Sequence, residues 1–104
     1  MAKEINQAEF DASVLNGKGL VIVDFFATWC KPCQMLGPVM EEVATKFEQV
    51  SFFKIDIDAV TALAEKYNIM SVPTIMFFKD GTLVDQVIGY RSVEEMEELV
   101  KRFV

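Results

Sequence analysis

The sequence predicts an α/β fold with a mixed central β-sheet, built from parallel crossovers and an antiparallel hairpin, with helices on both faces. Three observations carry this reading. Apolar spacing alternates along the chain between the strand period of about 2 and the helical period of about 3.6. A nearly unbroken apolar run, Leu20 to Ala27, stands in the first third, and two strand-like runs flank Asp80-Gly81 near the end. At 104 residues the chain has the length of one compact domain, and residues 1–104 are taken as one.

A short strand is expected near Glu4 and Ile5. From Gln7 to Leu15, the residues Ala8, Ala12 and Leu15, with Phe10 and Val14 beside them, make a weak helical pattern that Asn16-Gly17 ends. Leu20 to Ala27 is apolar except for Asp24, which fits a central strand buried on both faces. From Pro32 to Phe47 the residues Met35, Leu36, Val39, Met40, Val43 and Phe47 recur at helical spacing opposite Glu41, Glu42, Thr45, Lys46 and Glu48. That is a long amphipathic helix, with Pro38 expected to kink it. Ser51 to Ile57 reads as a second strand, and Val60, Leu63, Ala64 and Tyr67 mark a short helix after it. Beyond Val72-Pro73, Thr74–Phe78 and Thr82–Ile88 form a hairpin through Asp80-Gly81, a dipeptide suited to the tight turn. Ser92 and Glu95 make a capping box for a last helix with the stripe Met96, Leu99, Val100 and Phe103. The acidic first turn of this helix and its Lys101-Arg102 end complement the helix dipole. The adjacent pairs Phe25-Phe26, Phe52-Phe53 and Phe77-Phe78 supply both faces of the sheet, and Met35, Met40 and Met96 read as core filler.

Composition narrows the function. The net charge of −6 and the lack of clustered Lys and Arg exclude nucleic acid as a partner. Histidine is absent, so hydrolase triads and zinc-activated water lack their usual residue, and no metal site is expected. The longest apolar run is far shorter than the roughly 20 residues that cross a bilayer. The first residues lack the apolar core of a secretory signal, which makes the cytoplasm the expected home unless a signal has been removed.

The chemistry lies at Trp29-Cys30-Lys31-Pro32-Cys33, after the central strand and at the start of the long helix. A helix N-terminus favours a thiolate at Cys30, and Lys31 adds a cation beside it. Pro32 suits a first turn, where its missing donor costs nothing. Two intervening residues let Cys33 meet Cys30 one turn on, so the pair can open and close without rearranging the fold. Cys33, flanked by Gln34, Met35 and Leu36, is expected to be the less exposed of the two and so the resolving thiol. A purely structural disulfide would close a loop worth only about 2 kcal/mol and would be reduced in a cytoplasm. Zinc would need two further ligands. A Cys-x-x-Cys pair beside a strand–helix–strand pattern is a recognised redox signal.

Along nearly its whole length the sequence resembles the thioredoxin family. The resemblance rests on Val23-Asp24-Phe25, Ala27, Trp29-Cys30, Pro32-Cys33, Pro38, Lys54 with Asp56-Ile57-Asp58, Val72-Pro73-Thr74, Phe78-Lys79-Asp80-Gly81 and Gly89. It implies the thioredoxin fold and a monomeric protein-disulfide reductase with no bound cofactor. Its electrons would come from NADPH through a thioredoxin reductase, and its partners would be that reductase and disulfide-containing client proteins. By the same likeness Cys30 attacks a client disulfide and Cys33 releases the reduced client.

Four further positions have readings of their own. Asp24 is a carboxyl in an apolar strand; desolvation should raise its pKa and make it a proton acceptor for Cys33, with Lys54 as its ionic neighbour. A purely structural, hydrogen-bonded carboxyl is the alternative. Val72-Pro73 is either a plain strand start or, as the resemblance implies, a cis peptide whose Val72 backbone receives a client segment as an added strand. Gly89 either keeps that groove open or serves a turn. Trp29, outside the strand, reads as apolar contact surface at the active site.

The sequence departs from the common family pattern at Phe26, Lys31 and Gln34, where a tryptophan, a glycine and a basic residue are usual. Two other functions remain open: a binding or assembly module with dispensable cysteines, and an oxidase or isomerase.

Overall fold

The apolar run that begins at Leu20 becomes the middle strand of a five-stranded sheet. A computed structural model describes residues 2–104. In chain order the elements are β1 (Lys3–Glu4), α1 (Gln7–Phe10), β2 (Leu20–Phe26), α2 (Lys31–Lys46), β3 (Ser51–Asp56), α3 (Thr61–Lys66), β4 (Thr74–Lys79), β5 (Thr82–Ile88) and α4 (Val93–Lys101). The strands lie in the order β1-β3-β2-β4-β5. β3 is parallel to both β1 and β2, and β4 is antiparallel to β2 and β5, which gives the mixed sheet expected from two crossovers followed by a hairpin.

Alternation along the strands sorts side chains into two cores. Ile22, Phe52, Ile75 and Phe77 face Leu36, Val39, Met40 and Val43 of α2 and Met96 and Val100 of α4. Val21, Val23, Phe25, Ile55, Met76 and Phe78 face Phe10 and Val14 on one side and Leu63 on the other. The members of each phenylalanine pair part to different faces, because successive side chains of a strand point to opposite sides.

Several details differ from expectation. The segment after Asn6 is only one α-turn long, opened by a reciprocal Asn6–Glu9 capping box, and a π-helical turn over Asp11–Leu15 completes it. Met35 is not core: it is 55% exposed on the outer side of α2, whereas Met40 and Met96 are fully buried. At Pro38, α2 continues to Lys46, as a kinked helix can. The Asp80-Gly81 turn has positive φ at both residues, as a two-residue hairpin of matching twist requires, and a Cβ at Gly81 would collide with the Leu15 carbonyl. Asp80 also accepts from the Gly19 N–H at 2.8 Å, which ties the hairpin to the start of β2.

The crossovers place the chemistry. β2 and β3 end on the same side of the sheet because they are parallel, so the Ala27–Cys30 loop and the Ile57–Asp58 loop meet there, joined by the Ile57 N–H donating to the Phe26 carbonyl at 2.9 Å.

Candidate active site

Cys30 is the N-cap of α2, in extended conformation, and its sulfur accepts a hydrogen bond from the Cys33 N–H at 3.2 Å. Cys33 stands one turn on, with its Cα 5.2 Å from that of Cys30, and the two form a disulfide. Pro32 occupies the first turn between them, where its lack of an N–H wastes no bond. On reduction, a thiolate at Cys30 would keep the Cys33 N–H and the positive end of the helix dipole. Lys31 is exposed beside it.

The expectation that Cys33 is the more shielded residue fails. Cys30 is 4% exposed and Cys33 is 6% exposed, so overall burial does not separate them. The distinction lies in the cavities they line. Cys30 belongs to an outer cavity of about 430 Å³ shared with Trp29, Lys31, Pro32, Ile57, Ile69, Met70, Ser71 and Val72. Cys33 belongs to an inner cavity of about 400 Å³ shared with Asp24, Phe26, Ala27, Thr28, Gln34, Gly37 and Lys54.

The outer cavity is walled by apolar side chains that water reaches freely. Trp29 is 69% exposed, and its indole N–H donates to Asp58 at 2.9 Å, which fixes the ring's direction. Across the cavity stands Met70, 84% exposed. The Val72 carbonyl oxygen lies 3.6 Å from the Cys30 sulfur, and the Val72–Pro73 peptide is cis. The Thr74 hydroxyl donates to the Ser71 carbonyl, and the Gly89 N–H donates to the Pro73 carbonyl at 2.8 Å, so this loop is held on both sides. Gly89 itself does not line the cavity. Its φ is +95° and a Cβ there would meet only the Arg91 side chain at 3.7 Å, so backbone conformation rather than crowding favours glycine.

The inner cavity is set apart by a buried carboxyl: Asp24 is 5% exposed, and its Oδ1 has no hydrogen-bond partner among the described residues. Burial pushes its carboxyl up to about 7, and the positive charge of Lys54 pulls it back only in part. Lys54 is the direct neighbour of Asp24 in the β2–β3 register, but no contact within 4 Å joins the two charges among the described residues. The Lys54 ammonium lies instead 5.5 Å from the centre of the Phe26 ring. Lys54 therefore acts on Asp24 at a distance, not as an ion-pair partner.

Sequence reasoning missed Met70, Ile69 and Asp58 as parts of the site. Met70 carried one signal, an apolar residue directly before Ser71-Val72-Pro73 with no place in the helical stripe of α3. Among the described residues, no group of three or more His, Cys, Asp or Glu side chains is placed to hold a metal ion, and no helix is long and apolar enough to cross a membrane.

Comparison with known proteins agrees with this geometry. A profile of the Thioredoxin family matches residues 1–102. A thioredoxin of Mycoplasmoides gallisepticum is 43% identical over 96 residues, covering 92% of this chain and 95% of that protein. A thioredoxin of Staphylococcus aureus is 41% identical over 100 residues, covering 95% and 94%. A solved structure of Plasmodium falciparum thioredoxin superposes with a TM-score of 0.90 at 38% identity, covering 99% of this chain and 100% of that one. With the Cys30–Cys33 disulfide at the head of α2 and matches that run from end to end, the chain belongs to the thioredoxin family of protein-disulfide reductases.

Proposed function

We propose that the protein, acting as one domain, is a general reductant of client protein disulfides in the cytoplasm. It works as a monomer and is recharged with NADPH electrons by a thioredoxin reductase. Cys30 is the nucleophile. Its thiolate attacks one sulfur of the client disulfide, the client's S–S bond breaks, and the departing client thiolate takes up a proton. Cys33 then gives its proton to Asp24, directly or through a water, and attacks the Cys30 sulfur. The mixed disulfide breaks, the client leaves as a dithiol, and the Cys30–Cys33 disulfide is restored; two electrons have passed to the client. Val72 offers its backbone to an extended client segment, and Trp29 and Pro73 shape the contact.

One observation carries this reading: the two cysteines line different cavities, Cys30 one walled by the exposed Trp29 and Met70 and Cys33 one that holds the buried carboxyl of Asp24. A binding module with dispensable cysteines has no use for a buried carboxyl behind the second cysteine. The test is reduction of insulin, with dithiothreitol and separately with NADPH and purified thioredoxin reductase. A rate well above background in both assays supports the proposal. Background rates in both leave a binding module. A potential above about −200 mV, instead of one within a few tens of millivolts of −270 mV, indicates an oxidase or isomerase.

A further inference from the structure

The inner cavity has a floor and a rim. Asp24, Ala27 and Cys33 are its buried residues, whereas Thr28 and Gln34 are exposed at its opening. Those two rim residues are joined, because the Gln34 Nε2 donates to the Thr28 carbonyl at 3.1 Å. The bond links the first turn of α2 to the loop that leaves β2, and both residues line the cavity that holds the bare Asp24 Oδ1. A bond to the Thr28 carbonyl favours this rotamer over those that point into water by the modest amount that an exposed hydrogen bond is worth.

We propose that Gln34 is a positioning residue for the resolving half of the exchange: tethered to the Thr28 carbonyl, it narrows the mouth of the inner cavity and limits the access of bulk water to Asp24 and Cys33. A neutral amide is suited to this. It covers the carboxyl without adding a charge of its own, whereas a cation at this position would pull the carboxyl toward ionisation. The groups facing Asp24 are few. β3 presents Lys54, α2 presents the Cys33 sulfur, and β4 sets the apolar Ile75 beside Asp24 in register. With so few charges nearby, the amount of water reaching the carboxyl is the main quantity left to adjust its proton affinity. The inference rests on Asp24 serving as the proton acceptor, but its test does not.

The test is a carboxyl-carbon NMR titration of Asp24 in the full chain in its Cys30–Cys33 disulfide form, with the wild type expected to titrate at about 7. Gln34→Ala opens the mouth, so the Asp24 inflection should fall by about half a pH unit or more toward the ordinary carboxylate range. Gln34→Leu has similar bulk but no donor, and it should fall with Gln34→Ala if the tether is what holds the cover in place. An inflection unchanged in Gln34→Ala overturns the proposal, and so does a wild-type value in Gln34→Leu, since cover without the tether would then suffice. A second readout is the pH profile of mixed-disulfide release, which should move in the same direction in Gln34→Ala. Should the wild type fail to reduce insulin while the titration shifts as stated, the reductase mechanism falls and the shielding role stands.

Discussion

On the outer side of the Cys30–Cys33 disulfide the chain exposes apolar side chains, Trp29 at 69% and Met70 at 84%; on the inner side it buries a carboxyl, Asp24 at 5%. Each side inverts the usual rule for its residue type. Exposed aromatic and thioether groups mark surfaces that expect a partner, and a buried carboxyl without a hydrogen bond is a cost to stability. Two cysteines of nearly equal burial thus acquire different tasks from what surrounds them. In the proposed mechanism Cys30, on the outer cavity, would be the nucleophile, and Cys33, beside Asp24, would be the resolver.

The largest expected effect belongs to the inner side. Asp24 has a folded pKa of about 7 against an ordinary value of 3.8. A carboxyl whose folded pKa is raised binds its proton more tightly when folded, so its contribution is favourable at low pH and is lost as pH rises from the unfolded value through the folded one. The penalty at pH 7 and above is on the order of 3 to 4 kcal/mol. Asp24→Ala should therefore raise Tm by roughly 10 °C or more at pH 8 and change it far less at pH 4, while slowing release of the mixed disulfide. Thermal melts across that range check the first part. A lower Tm at pH 8 means that the carboxyl is not a stability cost.

An intermediate effect is expected on the outer side. Trp29→Ala should raise KM for a protein disulfide by about 10-fold or more, and Met70→Ala by about 3- to 10-fold, since each removes apolar area that only a bound client covers. In both variants KM should rise more than kcat falls. A fall confined to kcat would remove these residues from client contact and blur the contrast between the two sides.

The smallest effect concerns Lys31, whose side chain is exposed beside Cys30. A screened cation favours the thiolate weakly, so Lys31→Gly should make the pair more negative by only about 5 to 20 mV when equilibrated against a glutathione couple. A change of 60 mV or more would mean that local charge, not the helix N-terminus, sets the potential.

The fold was largely legible in the sequence because its elements declare themselves through periodicity and punctuation. The Leu20 run could only be a strand covered on both sides, and Asp80-Gly81 could hardly be anything but a hairpin turn. Ser92 with Glu95 marked the start of α4 to the residue. Harder to read were features decided by packing between distant segments. Met35 keeps the helical spacing of α2, yet its side chain is 55% exposed. Met70 gains its meaning only when the loop before Pro73 is folded opposite Trp29. The site residues were legible as types: Asp24 drew notice as a carboxyl among apolar neighbours, and Cys30 as a helix cap. The relative burial of the two cysteines was not legible, because it depends on the Val72 loop covering Cys30 from a segment some forty positions later.

The division of labour between the cysteines is tested most directly by trapping. Cys33→Ser and Cys30→Ser variants are each reduced, incubated with a disulfide-containing protein, quenched with acid and separated without reductant. The account predicts that Cys33→Ser accumulates a stable mixed disulfide through Cys30, while Cys30→Ser accumulates almost none, because its remaining thiol faces the inner cavity. Equal trapping by the two variants, or more by Cys30→Ser, would contradict it.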